Sequence, residues 1–221
     1  MEANLSTRAR TLAAAFALSG LLWAPANAAA PVVYDNGPPV ISGYNTVGRW
    51  IANDFTFDST WSIVMLRYYF LVYQDEPDDL DTVVWEIYTD DRGRPGARVG
   101  GASVSSTGSQ TLVGSTDYFN LYAVDLRLTE PLTLDPGHYW LGVTTPSYGY
   151  VYWADSTATG TQNAMFWDAD DPGVWYPLGR ESAFQISAVP EPQQAVSLAL
   201  GLAVLCAWRR RSRGHSSRRA G

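Results

Sequence analysis

The feature that most constrains this chain is the two-residue period of its apolar side chains. Between Ile63 and Tyr73, the residues Val64, Leu66, Tyr68, Phe70 and Val72 fall on one face of an extended strand, and none of them is charged. Ile63, Met65, Arg67, Tyr69, Leu71 and Tyr73 fall on the other face, which is mixed and therefore expected to be wetter. Successive side chains of a strand point to opposite faces, so a pattern of this kind buries one face in a sheet. Tyr122, Val124, Leu126 and Leu128 alternate in the same way with Ala123, Asp125, Arg127 and Thr129. Val83, Trp85 and Ile87 alternate with Val84, Glu86 and Tyr88, and Tyr139, Leu141 and Val143 with Trp140, Gly142 and Thr144. No window in 31–189 carries a sustained 3.6-residue apolar stripe with helix caps.

Shorter strand candidates cover Trp50 to Phe57, Arg98 to Ser105, Tyr148 to Ala154, Ala164 to Asp168 and Ala183 to Ala188. Turn chemistry separates them at 90–96, at Asp135-Pro136-Gly137 and at Asp171-Pro172-Gly173. Roughly nine or ten short strands with frequent turns and no fixed-period repeat predict an antiparallel β-sandwich of jelly-roll type, and not a propeller or solenoid.

Charge is distributed unevenly. The body, 31–189, has seven Arg against twenty acidic residues, a net charge of −13, and the chain contains no Lys. Phosphate neutralisation needs clustered cations, which argues against nucleic acid as the partner of the body. The single Cys, Cys206, excludes an intrachain disulfide, and with only two His there is no ordinary zinc ligand set.

The two ends read as addresses. Arg8 and Arg10, the apolar run Thr11 to Ala24, and Ala26-Asn27-Ala28 have the order of a secretory signal peptide over 1–28, cut after Ala28 by signal peptidase. A retained signal anchor is the alternative. At the other end, Val189-Pro190-Glu191-Pro192 is followed by the uncharged run Ala195 to Trp208 and by Arg209-Arg210-Arg211. Fourteen helical residues span about 21 Å, short of a hydrocarbon core of about 30 Å, but the Arg cluster holds its end in the cytoplasm as the positive-inside rule requires. Cys206 lies inside that run and reads as an apolar filler.

Hinge, short apolar helix and Arg-rich end, in this order over 189–219, resemble the PEP-CTERM sorting signal. That tail also occurs on ice-binding proteins. The resemblance implies processing by exosortase, a membrane-embedded enzyme of biofilm-forming Gram-negative bacteria. It further implies a transient stay in the inner membrane and a final place at the cell surface or in the extracellular matrix. An ordinary stop-transfer anchor is the alternative. The body, taken as 29–188, is similar to a recurring group of PEP-CTERM passenger domains at Asn53 to Phe57, at Trp85 to Gly96 and at Leu132 to Leu141.

Catalytic chemistry is sparse. His138 is the only His of the body, it precedes a strand, and no G-x-S-x-G elbow surrounds any Ser. Glu86 is the one Glu inside a clear strand, where a solvated position competes with a cleft carboxylate that would need a second acid nearby. Asp75 to Asp81 and Asp168 to Asp171 are acidic runs, but Gly179 stands where an EF-hand loop needs Glu, and solvated carboxylates are the expectation. Catalytic residues, metal and cofactor are therefore all expected to be absent. The body holds seven Trp, thirteen Tyr and six Phe. Tyr148, Tyr150 and Tyr152 share one strand face, so with Trp153 turned inward they form an outward row able to stack on sugar rings; core packing is the alternative use. The leading expectation is an exported, non-catalytic envelope or exopolysaccharide component. A carbohydrate-binding module, with or without calcium, comes second, and a polysaccharide-active enzyme third.

Overall fold

The computed structural model describes residues 29–74, 80–107, 109–146, 149–158, 163–168, 173–190 and 200–202. From Pro31 onward it is all-β and sandwich-like, with two antiparallel sheets. The strands are β1 (Val32–Asp35), β2 (Pro39–Asn45), β3 (Arg49–Phe57), β4 (Trp61–Tyr73), β5 (Thr82–Asp90), β6 (Pro95–Ser105), β7 (Gln110–Ser115), β8 (Phe119–Leu134), β9 (Gly137–Thr144), β10 (Val151–Ser156), β11 (Met165–Asp168), β12 (Tyr176–Pro177) and β13 (Phe184–Pro190). All nine runs expected from alternation are strands. β1, β2, β7 and β12 were not expected: they are short or interrupted by Pro and Gly, so no period develops in them. Among the described residues no helix is long and apolar enough to cross a membrane. The signal segment 1–28, Glu191, Pro192, Cys206 and the Arg209-Arg210-Arg211 cluster lie outside the described residues.

Sheet 1 is built on β4. Along one edge β4 pairs with β8 over nearly its whole length, from Trp61↔Leu134 to Tyr73↔Phe119. It also pairs with β13 at 61–68 and with β10 at 70–72, and these carry β1 and β2 respectively. β7 covers β8 only from Asn120 to Val124. Sheet 2 runs β12-β11-β3-β9-β5-β6, with β6 at one edge. Leu66, Phe70 and Leu126 of sheet 1 meet Ile51, Phe55, Ile87 and Leu141 of sheet 2 in one buried cluster.

One expectation fails within β4. Val64 was assigned to the dry face and Ile63 to the wet one, yet Ile63 is fully buried and Val64 only partly. Val64 is skipped in the pairing with both neighbours: Ile63 pairs with Leu132 and Ala188, Met65 with Arg127 and Ser187. An unpaired residue reverses the alternation, as a β-bulge does. On β8 the same irregularity loops out Leu128, Thr129, Glu130 and Pro131. Leu71 is a second departure: it lies on the outer face but is buried with Leu121 and Ala154 beneath aromatic rings. Val189 and Pro190 pair with Ser62 and Trp61 as the last residues of β13.

Tyr68 is fully buried between the sheets, and among the described residues its hydroxyl has no hydrogen-bond partner. Burial pushes this phenol well above its ordinary pKa. An unpartnered buried hydroxyl costs stability that an apolar group of the same shape does not. Tyr68→Phe should therefore leave stability unchanged or raise it by about 1 kcal/mol, whereas Leu126→Ala should cost about 2–5 kcal/mol. Denaturant unfolding of both variants checks the pair, and a clear loss for Tyr68→Phe would show that the hydroxyl has a partner.

Candidate functional site

Trp153 decides the orientation of the tyrosine row. It is fully buried, and its indole N–H donates to the Ala183 carbonyl at 2.8 Å. Period two then turns its neighbours outward: Tyr152 is half-buried and Tyr150 is 53% exposed. Their rings are nearly parallel, 11° apart with centroids at 6.5 Å. Tyr73 stands edge-on to Tyr150 at 5.4 Å and packs on Phe119 at 4.5 Å, and Phe119 stands edge-on to Tyr152 at 5.8 Å. Four rings from β4, β8, β10 and the residue before β10 thus form one aromatic platform, in which Phe119 and Tyr152 pack on the buried Leu71, Leu121 and Ala154. Burial, followed by the neighbouring Tyr73 and Tyr150, pushes the Tyr152 phenol above its ordinary pKa. Tyr148, the third member of the expected row, lies outside the described residues. Tyr73 and Phe119 were not expected to join it, because only the pairing of β4 with both β10 and β8 brings them beside the row.

The outer face of sheet 2 carries the polar side chains that were weighed for catalysis. Glu86 is engaged on both oxygens: Tyr88 donates its hydroxyl to one, and the Arg98 guanidinium lies 3.0 Å from the other. Burial and this carboxylate push the Tyr88 phenol upward. His138 has its Nε2 at 2.9 Å from an Asp54 oxygen and its Nδ1 at 3.4 Å from Asp90. With a carboxylate at each ring nitrogen, His138 is arranged as a strut across β3, β9 and β5 and not as the base of a serine nucleophile. Beside it, the Trp140 indole N–H donates to Asp90 at 2.9 Å. Tyr88 and Trp50 lie over Gly142, where a Cβ would come within 2.9 Å of the Tyr88 ring. Trp175 stacks on Trp167, meets Tyr88 edge-on and packs against a small second core of Ala52, Tyr88 and Trp140.

Among the described residues no three His, Cys, Asp or Glu side chains converge as a metal-holding group. Asp75, Glu76, Asp78 and Asp79, as well as Asp170 and Asp171, lie outside the described residues.

Burial pushes Asp90 up, but the Trp140 indole, the Gly93 amide and His138 outweigh it, and the net direction is down. A carboxyl that titrates below the ordinary Asp value of about 3.9 adds stability that is complete above that pH and is lost as pH falls through its folded value. Asp90→Asn should thus be less stable than the wild type by about 1 kcal/mol near pH 6, a modest figure for a partly exposed charged acceptor. The gap should close towards pH 2. Melting curves across this range check it, and a gap that stays constant would exclude Asp90 as the titrating group.

No protein-family model and no curated protein matches this chain, so the functional reading rests on its own residues.

Proposed function

We propose that this is an exported, non-catalytic β-sandwich protein, sorted to the cell envelope or exopolysaccharide matrix, that holds polysaccharide on its tyrosine platform. The observation that carries the reading is the outward Tyr150–Tyr152 pair, with rings nearly parallel and Tyr152 packed on a buried apolar layer. Flat aromatic faces of this kind suit the C–H faces of sugar rings. A core role for the pair is disfavoured by the 53% exposure of Tyr150. The enzyme reading is disfavoured by Glu86 and His138, whose functional atoms are already engaged.

The sorting half of the proposal rests on the sequence of the two ends. Residues 1–28 serve as a signal peptide removed by signal peptidase, and 189–219 as a PEP-CTERM signal with a short membrane helix, recognised by exosortase. The finer jelly-roll assignment belongs to the same reading. Calcium is not required by it.

Replacing Pro190, Glu191 and Pro192 together by Ala should leave unprocessed protein in the inner membrane while the sandwich still folds. Normal processing and release of that variant would refute the sorting role. Tyr150→Ala with Tyr152→Ala should clearly weaken binding on a glycan array without lowering the melting temperature by more than a few degrees. Undiminished glycan binding would refute the platform.

A further inference from the structure

The looped-out residues of β8 create a groove elsewhere on the sandwich. β7 covers only the first part of β8, so the edge of β8 from about Arg127 onward faces the free edge of β6 in sheet 2. Two adjoining clefts, about 360 Å³ and about 500 Å³, lie between these edges and share Val104 and Arg127 as lining residues. Gly100 lets β6 come this close to β8, and Gly101 lets it lie close against β5. A Cβ on Gly100 would lie 2.6 Å from the Leu132 side chain, and one on Gly101 would lie 2.5 Å from the Trp85 carbonyl.

The two halves of the groove differ in chemistry. The first is walled by Trp85, Val104, Leu128 and Pro131, with Glu130 beside them. The second is lined by the hydroxyls of Ser105, Thr107, Ser109 and Thr111. Arg127 lies where they meet and is exposed. Asp125, also on the wall, is already held by Arg67 through two bonds of 2.6 and 2.7 Å, and among the described residues no ion pair engages Arg127. From Gly100 to Ser105 the groove runs about 17 Å along β6, at about 3.3 Å per residue.

We infer that this groove binds an extended neutral glycan chain, with sugar C–H faces on the apolar wall, hydroxyls bonded along the Ser and Thr row, and Arg127 donating to a pair of sugar oxygens. The inference rests on the carbohydrate-binding reading and adds a second, separate site to it. Three observations choose this occupant. A guanidinium has paired donors that suit two adjacent oxygens. A polyanion would meet Glu130 and a body of net charge −13. A peptide strand pairing with β8 would meet a four-residue loop-out and Pro131, which has no N–H to give; features of this kind guard sheet edges.

The test titrates the full chain, in mild detergent, with hexasaccharides of glucose, mannose and galactose, with a hexamer of galacturonate, and with an eight-residue alternating Thr-Val peptide, by calorimetry. The proteins are the wild type, Arg127→Ala, the groove-filling Ala102→Phe, and Tyr150→Ala with Tyr152→Ala, each checked for an unchanged melting curve. The expected result is that a neutral hexasaccharide binds, that both groove variants weaken it about tenfold or more, and that this groove-sensitive component survives in the tyrosine variant. Binding lost in the tyrosine variant but unchanged in the groove variants would overturn the groove and leave the platform standing. Loss confined to the groove variants would leave the groove and overturn the platform. Preference for galacturonate or for the peptide would overturn the neutral-glycan assignment, and binding of no probe would overturn the site.

Discussion

The ladder between β4 and β8 is the interaction on which the rest of the sandwich depends. β4 is thirteen residues long, more than twice a common strand length, and twelve of its residues are in register with β8. Its other edge is too long for one partner and is shared by two short ribbons, β13 with β1 and β10 with β2. These separate where Ala183 donates to the Ala154 carbonyl and Trp153 to that of Ala183. The fork is what turns Trp153 into the core and therefore Tyr150 and Tyr152 out. A strand this long also accumulates twist, and the bulge at Val64 is where the ladder accommodates it. The loop-out of Leu128 to Pro131 is the partner's half of that accommodation. Platform and groove are thus both consequences of one long strand pair.

A buried polar knot fastens the two sheets beside the middle of β4. Asn53, fully buried on β3, accepts from the Ser182 amide at 2.9 Å. Asn36 donates to the Ser182 carbonyl at 2.9 Å and to Glu181 at 3.2 Å, and Tyr34 donates to both Asn36 and the Asp54 carbonyl. Burial first, and then the carboxylates of Asp54, Glu181 and Asp35, push the Tyr34 phenol up to about 12, so it remains a donor across the physiological range. Buried amides and backbone groups without partners would cost about 1–3 kcal/mol each, so one register of β3 against the 180s segment is strongly preferred. This gives the Asn-Asp-Phe-Thr-Phe stretch at 53–57 a structural reason: Asn53, Phe55 and Phe57 face the core, while Asp54 turns outward to His138.

What the sequence made legible was whatever period two controls. The strands around Leu66, Val124, Ile87 and Leu141 were readable because a single dry face repeats over several residues. Ile63 and Val64 were misplaced because a bulge leaves no mark in composition, only in the partner's register. β2, with Pro39 and Gly43, and β12, two residues long, offer too little alternation to register. The tyrosine row was visible from spacing alone, but its direction depended on Trp153, and its neighbours Tyr73 and Phe119 arrive from strands far away in sequence. The groove had no local signal at all: Gly100, Arg127 and Thr111 are ordinary residues until two sheet edges place them together.

The ends of β4 also relate the proposed anchor to the proposed binding surface. Pro190, the last residue of β13 and part of the proposed sorting signal, pairs with Trp61 at the first end of β4. Tyr73, at the other end of β4, packs against Tyr150. Twelve steps of about 3.3 Å separate these ends, about 40 Å along the strand. In the proposed reading, where the sorting signal holds the chain at a membrane, β4 would carry the aromatic rings at its end away from the attachment. A platform beside Trp61 would instead sit where the proposed signal begins, with less room for long polymers. The strand that organises the core would in this way separate the proposed attachment from the proposed recognition surface.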